Sequence, residues 1–341
     1  MKLLKLCIFS VAFFSAVGSA NGAALINGAG ATFPSPLYMR WSSEFQKVRS
    51  DVRINYQSIG SGAGIKQFIE KTVDFGATDL PMTDEQLKVA NEPVLHIPTV
   101  LGAVVLTYNL PALAGKPLRF SSDIVADIYL GKIKKWNDER IAKENPGVVL
   151  PDTEVLVVAR ADGSGTTGIF TDYLSKISAE WKTRVGSATA VKWPVGLKEK
   201  GNEGVTGRVK LTEGAIGYVE LIYAKNNGLP YASIKNKAGA FVEPSEKAVT
   251  AAAAGALKNM PSDFRVSITN ADGKESYPIS GFTYLLVRKT QVAGEKSQNL
   301  LSFLKWAIGD GQMFASALHY APLPSSLAKK VQAEVAKIRL Q

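Results

Sequence analysis

The sequence predicts an α/β protein in two domains. Short β-type runs alternate with amphipathic helical runs along most of the chain, the pattern of strands packed under helices. Apolar side chains make up 46% of 341 residues, enough for two cores. Two apolar strand-like segments, near Val100–Tyr108 and Phe282–Val287, lie next to Pro or Gly breaks and read as crossings between the halves.

Taken in order, the first element is an export signal. Lys2 and Lys5 form a basic start, an apolar stretch runs from Leu6 to about Val17, and small residues from Gly18 to Ala24 offer cleavage positions. We assign residues 1–23 to it, with cleavage within 20–24. Cys7, the one cysteine, lies inside the apolar stretch and is discarded with it. The mature chain then has no disulfide, no thiolate metal site and no Cys nucleophile. No later run reaches the roughly 18 uninterrupted apolar residues a membrane span needs, so the mature protein is expected to be soluble, without membrane insertion.

Val52, Ile54 and Tyr56 alternate with polar residues as in a half-buried strand, and Ser58–Gly64 turns the chain into a helix carrying Ile65, Phe68 and Ile69 on one face. Asp74–Asp79 reads as a short strand ending in a polar loop. Val100–Tyr108 is apolar and partly β-branched, a strand buried on both faces. Val155–Val158 is a strand and Ile169, Phe170, Tyr173, Leu174 and Ile177 mark the helix after it. Phe282–Val287 is a strand and Leu300–Ala307 a helix, whereas Lys235–Pro244 reads as a surface connection. The crossings divide the chain into 24–109 with 278–341 as lobe I and 110–277 as lobe II.

Three Gly/Ser/Thr turns precede helices. Thr32 is placed to cap a helix whose first turn takes Pro34 and Pro36, Ser61 stands before the helix of Ile65, and Ser164 before that of Ile169. Each fits an ordinary cap. Together, with Arg160 beside the third, they also fit hydroxyls and helix N-terminal amides converging on one oxyanion at the carboxyl ends of strands. Lys and Arg outnumber Asp and Glu by 40 to 30, but the positive residues are scattered, with only Lys132–Lys135 approaching a cluster, and no nucleic-acid-binding signature occurs. The two histidines, His96 and His319, have no metal-ligand spacing around them, so no metal and no cofactor is expected. Neither Ser61 nor Ser164 lies in a nucleophile elbow, and no Walker-type loop is present, so the chain is not expected to be an enzyme.

Seven segments in this order carry a resemblance: Gly-Ala-Gly-Ala-Thr-Phe-Pro at 28–34, Ile-Gly-Ser-Gly at 59–62, Val-Asp-Phe-Gly-Ala-Thr-Asp at 73–79, Tyr-Leu-Gly-Lys-Ile-Lys-Lys-Trp at 129–136, Arg-Ala-Asp-Gly-Ser-Gly-Thr at 160–166, Lys-Trp-Pro-Val-Gly at 192–196 and Gly-Ala-Ile-Gly-Tyr-Val-Glu at 214–220. Over essentially the whole mature chain the sequence resembles the periplasmic phosphate-binding proteins of high-affinity phosphate ABC importers. The resemblance implies a two-lobed periplasmic-binding-protein fold, each lobe a mixed sheet flanked by helices, with inorganic phosphate in the interlobe cleft. It also implies a periplasmic monomer that delivers phosphate to a membrane permease. Its phosphate ligands fall on Thr32, Phe33 (backbone N–H), Ser61, Asp79, Arg160, Ser164, Gly165 (backbone N–H) and Thr166, and Asp162 matches the acidic residue that holds the Arg. Ser58 and Ala63 depart from the pattern where Gly is usual. A secreted phosphatase-like protein on the same scaffold, or a receptor for another protonated oxyanion such as arsenate, stands as the alternative.

Asp79 has a physical rationale beside the resemblance. Phosphate near neutral pH keeps at least one P–OH for an ionised carboxylate to accept. Sulfate has none, and an unpaired buried charge costs roughly 3–5 kcal/mol, a discrimination of a few hundred- to a few thousand-fold.

Overall fold

The computed structural model describes residues 23–341. The export-signal reading at 1–23 therefore lies, but for residue 23, outside the described residues, as does Cys7. Nine strands form one continuous sheet: β1 (Ala24–Gly30), β2 (Val52–Ser58), β3 (Phe75–Thr78), β4 (Val94–Tyr108), β5 (Leu156–Arg160), β6 (Leu197–Glu199), β7 (Ala215–Glu220), β8 (Ser280–Arg288) and β9 (Ala321–Pro322). Their order is β2-β1-β3-β8-β4-β7-β5-β6, with β9 added on β4.

The long strand β4 joins the two halves of the molecule. Its residues Val94–Ala103 run antiparallel to β8, and from Val104 to Tyr108 its partner is β7. The second crossing meets it there, since Val104 N–H donates to the Ile279 carbonyl at 2.8 Å. Residues 96–108 are buried without interruption, which explains why this strand shows no polar alternation. On the outer strand β2 the alternation is regular, with Val52, Ile54 and Tyr56 buried and their neighbours exposed or nearly so.

In one half β1 runs parallel to β2 and β3; in the other β5 runs parallel to β6 and β7. Parallel strands end on the same side, so six carboxyl ends open toward the region between the halves. Helices follow several of them: α1 (Ser35–Val48), α2 (Ser61–Ile69), α3 (Gly165–Ile177), α4 (Gly201–Leu211) and α5 (Leu221–Asn226), with α6 (Glu295–Ile308) packing back on β1.

One continuous core runs through both halves, with an aromatic group in each. Tyr38 stacks on Trp41 and meets Tyr56 edge-on in the first, while Phe170, Trp193 and Tyr218 stack in the second against Tyr129. Fully burying such side chains contributes about 1.5–3 kcal/mol each. His96 is also a core residue: its Nε2 accepts from the Met82 N–H at 3.0 Å, and burial pushes its imidazole down to about 4.

One expectation is corrected here. Lys235–Pro244 is not a plain surface connection, because Phe241–Val242 pairs back on Ser233–Lys235 and the buried Asn236 amide donates to the carbonyls of Gly273, Lys274 and Ser276. The basic cluster at 132–135 is largely neutralised, Lys132 pairing with Asp127 and Glu180 and Lys135 with Asp152. Among the described residues no helix is long and apolar enough to cross a membrane.

Candidate functional site

The structure brings Thr32, Phe33, Ser61, Asp79, Arg160, Ser164, Gly165 and Thr166 to one interior region between the two halves of the sheet. Every one of these side chains is at most 3% exposed, and Gly165 is buried in the first turn of α3. Direct bonds join segments far apart in sequence: the Gly165 N–H donates to Ser61 Oγ, 104 residues away, at 3.0 Å, and the Gly62 N–H donates to the Gly163 carbonyl at 2.8 Å.

Two of the three hydroxyls read as helix caps do not cap. Helix α1 begins at Ser35 behind Pro34, with no side-chain cap, and α2 begins at Ser61 itself behind Gly60. Ser164 alone caps as expected, its Oγ accepting from the Thr167 N–H at 3.0 Å. The two released hydroxyls accept from elsewhere. Ser61 Oγ takes the N–H groups of Gly165 and Asp79, and Thr32 Oγ1 takes the backbone N–H and side-chain amide of Asn202 at 3.2 and 2.6 Å. A hydroxyl whose lone pairs are filled by N–H donors has only its hydrogen left to offer. Thr32 and Ser61 are thus arranged to donate, while Ser164 and Thr166 each accept one N–H and keep a lone pair.

The loop after β1 is held in the same sense. Buried tyrosines take its three successive carbonyls, Tyr56 that of Ala31, Tyr223 that of Thr32 and Tyr320 that of Phe33, each at 2.6 Å. The carbonyls are committed to the protein, and the Phe33 N–H makes no hydrogen bond within the described chain. A backbone segment with its carbonyls committed and an N–H left open is suited to meet an anion.

Arg160 supplies the charge. Its Nε and Nη2 fork onto Asp162 at 2.8 and 2.5 Å, and its buried Nη1 has no protein partner. Burial works to raise the Asp162 carboxyl, but the Arg160 fork and the Gly201 N–H outweigh it and hold it below the ordinary carboxylate range. Asp79 is the opposite case. Thr283 Oγ1 donates to its Oδ1 at 2.8 Å, its buried Oδ2 has no protein partner, and burial pushes the carboxyl up to about 7 despite the bond from Thr283 and the attraction of Arg160. A cavity of about 210 Å³, lined by Asp79, Leu80, Ile169, Asp172 and residues 265–269, adjoins this carboxylate from the side.

The glycines of the motifs permit the close approach. A Cβ at Gly165 would stand 2.5 Å from Asp79 Oδ2 and 2.6 Å from its backbone N, and one at Gly62 would stand 3.0 Å from the Gly163 Cα. Gly165→Ala is accordingly expected to weaken anion binding roughly 10- to 100-fold, matching the 1–3 kcal/mol that overpacking a tight contact costs, with an unchanged circular dichroism spectrum. Undiminished binding in a calorimetric titration would contradict the tightness of this contact.

Three contributors escaped sequence reasoning. Thr283 orients Asp79 from β8 and is itself tied through its carbonyl to Thr99, which pairs with Tyr38. Asn202 links Thr32 to Thr166 Oγ1 at the start of α4. Glu220, fully buried at the end of β7, caps α5 through Ile222, and burial holds its carboxyl well above the ordinary range. Ser58 and Ala63, where the sequence departs from the related pattern, take part in none of these bonds.

A site closed between two such half-sheets is the hallmark of solute-binding proteins, and a family model described as the PBP superfamily domain matches residues 15–310. The solved structure of a high-affinity periplasmic phosphate-binding protein (PfluDING) bound with phosphate superposes with a TM-score of 0.71 at 21% identity, over 90% of this chain and 93% of that one. The fold is therefore the two-lobed one of that superfamily. The chain is 44% identical over 332 residues to phosphate-binding protein PstS of Pasteurella multocida (strain Pm70), covering 97% of this chain and 96% of that protein. It is 45% identical over 308 residues to phosphate-binding protein PstS of Xylella fastidiosa (strain 9a5c), covering 90% and 84%. The chain belongs to the PstS family.

Proposed function

We propose that this protein is a receptor for inorganic phosphate, exported to the periplasm with residues 1–23 removed, which closes two lobes around one anion and delivers it as a monomer to an ABC-type importer. The observation that carries the reading is the polarity of the buried site: hydroxyls arranged to donate, an unpartnered guanidinium nitrogen, and one unpartnered carboxylate oxygen at Asp79. A ligand that satisfies all of them has several acceptor oxygens and at least one O–H, which describes monohydrogen or dihydrogen phosphate. Family membership supports a solute-binding role, and the printed function of the PstS relatives supports phosphate as the solute.

In this reading Thr32, Phe33 N–H, Ser61, Arg160, Ser164, Gly165 N–H and Thr166 surround the anion and Asp79 accepts its proton. Since Ser61 Oγ already takes the Gly165 N–H, the Gly165 amide is shared with the ligand or turns to it. Asp162 keeps the Arg160 fork planar and aimed. Binding draws Asp79 back to its ionised form, because the ligand supplies the hydrogen bond that burial otherwise withholds. The division into 24–109 with 278–341 and 110–277 is our lobe assignment; the change of partners along β4 and the bond from Val104 to Ile279 support two hinge strands.

Calorimetric titration of protein unfolded and refolded to strip bound ligand is expected to show tight one-to-one phosphate binding and sulfate weaker by a factor of a few hundred or more, the equivalent of roughly 3–5 kcal/mol. Arsenate, which keeps a proton, is expected to compete with phosphate. A folded sample that binds none of the three anions refutes the reading.

A further inference from the structure

We propose that Asn202 is a positioning residue for anion binding, one whose amide turns Thr32 of one lobe and Thr166 of the other into donors toward the ligand and so couples lobe closure to the anion. This rests on the phosphate-receptor reading above. Asn202 is fully buried at the start of α4, where Gly201, at φ +74° and with its N–H on Asp162 Oδ1 at 3.1 Å, turns the chain toward the cleft.

The orientation of its amide is decided by one bond. Oδ1 accepts from the Glu220 N–H at 2.9 Å, and the reverse rotamer would set an NH2 group against that N–H. Nδ2 is thereby directed at the two threonines, 2.6 Å from Thr32 Oγ1 and 3.1 Å from Thr166 Oγ1. Both amide hydrogens are spent on these contacts, so Asn202 acts through the hydroxyls. Thr32 Oγ1 also accepts the Asn202 backbone N–H, which fills its second lone pair and leaves its hydrogen for the ligand. Free hydroxyls would spend part of their time with a lone pair toward the anion, and that orientation repels it.

The bonds to Thr32 also span the lobes. They form when the segment after β1 meets the start of α4, so the closed arrangement and the donor orientation are made together. An aspartate in this place, equal in shape, would accept from both threonines and turn their hydrogens away from the anion.

The experiment is phosphate titration of wild type, Asn202→Ala, Asn202→Asp, the double variant Thr32→Val/Thr166→Val, and that double variant combined with Asn202→Ala, all at pH 8 with melting curves taken alongside. Asn202→Ala is expected to weaken binding ~10- to 30-fold in the wild-type background and less than about twofold when the hydroxyls are already gone, since residues acting as one unit are not additive. Asn202→Asp is expected to weaken binding more than Asn202→Ala, by ~100-fold or more; a space-filling role predicts the reverse order. Equal losses in both backgrounds, or Asn202→Ala within twofold of wild type, overturn the proposal while the phosphate reading stands. If Asn202→Ala does not fold, the isosteric Asn202→Asp decides: unaltered affinity overturns the proposal. Absence of phosphate binding by wild type overturns the receptor reading itself and this proposal with it.

Discussion

Alanine at Arg160 is expected to weaken phosphate binding by a factor of roughly two hundred to several thousand, the cost of about 3–5 kcal/mol for breaking a buried charge pair. The guanidinium is 3% exposed and has two obligations: its Nε and Nη2 neutralise Asp162, and its Nη1 is the buried donor left for the ligand. Truncation removes that donor and frees the Asp162 charge beside the site, so two effects of the same sign add. Arg160→Lys keeps the charge but not the planar fork, and its loss should fall between wild type and alanine. Calorimetry reads both variants. A loss under tenfold for Arg160→Ala would mean that the anion is held elsewhere.

The second large effect concerns selectivity. In Asp79→Asn the amide oxygen keeps the bond from Thr283 and the NH2 replaces the acceptor aimed at the ligand proton. Sulfate then meets a donor where it met a carboxylate, and discrimination between phosphate and sulfate is expected to fall from several hundred-fold or more to within about tenfold. Competition titration with sulfate measures it, and a variant that still rejects sulfate as sharply as wild type excludes Asp79 as the proton acceptor.

The same substitution has a signature in stability. Asp79 rises from 3.8 to about 7 on folding, so the ligand-stripped folded chain holds a proton that the unfolded chain has lost, and the stability this contributes below pH 4 declines as pH rises toward 7. His96 runs the other way. Its imidazole falls from 6.5 to about 4, the unfolded chain holds the extra proton, and stability grows as pH rises through the same window. Glu220, which burial also holds well above the ordinary carboxylate range, acts in the same sense as Asp79, so in the wild-type protein two contributions that fall with pH oppose the rising one of His96. Denaturant titrations of Asp79→Asn from pH 4 to 7 should therefore show stability changing more favourably with rising pH than in the stripped wild type, because the falling contribution of Asp79 is gone. Saturating phosphate, which favours ionised Asp79, should tilt the wild type in the same direction as the variant.

Elements whose pattern is local were legible beforehand. The alternation on β2, the apolar run of β4 and the helix after Ser164 follow from residue types at fixed spacing. Thr283 and Asn202 carried no such mark. One is an ordinary strand threonine and the other an asparagine in a Gly-rich turn, and each matters only because a distant segment folds against it. Thr32 and Ser61 show the same limit from the other side. Local chemistry offers their hydroxyls a cap, whereas tertiary contacts with Asn202, Gly165 and Asp79 supply the donors that actually fill them.

By itself the sequence determined the α/β class, the strands and helices, and which residues were able to meet an oxyanion, because each of these depends on side-chain type and short-range periodicity. Only the tertiary structure decided which N–H groups fill Thr32 and Ser61, that Asp79 keeps one oxygen free, and that Asn202 joins Thr32 to Thr166. Hydrogen-bond direction is set by the partner on the opposite side of the cleft, as with Ser61 and Gly165, 104 residues apart, and no local pattern specifies that partner.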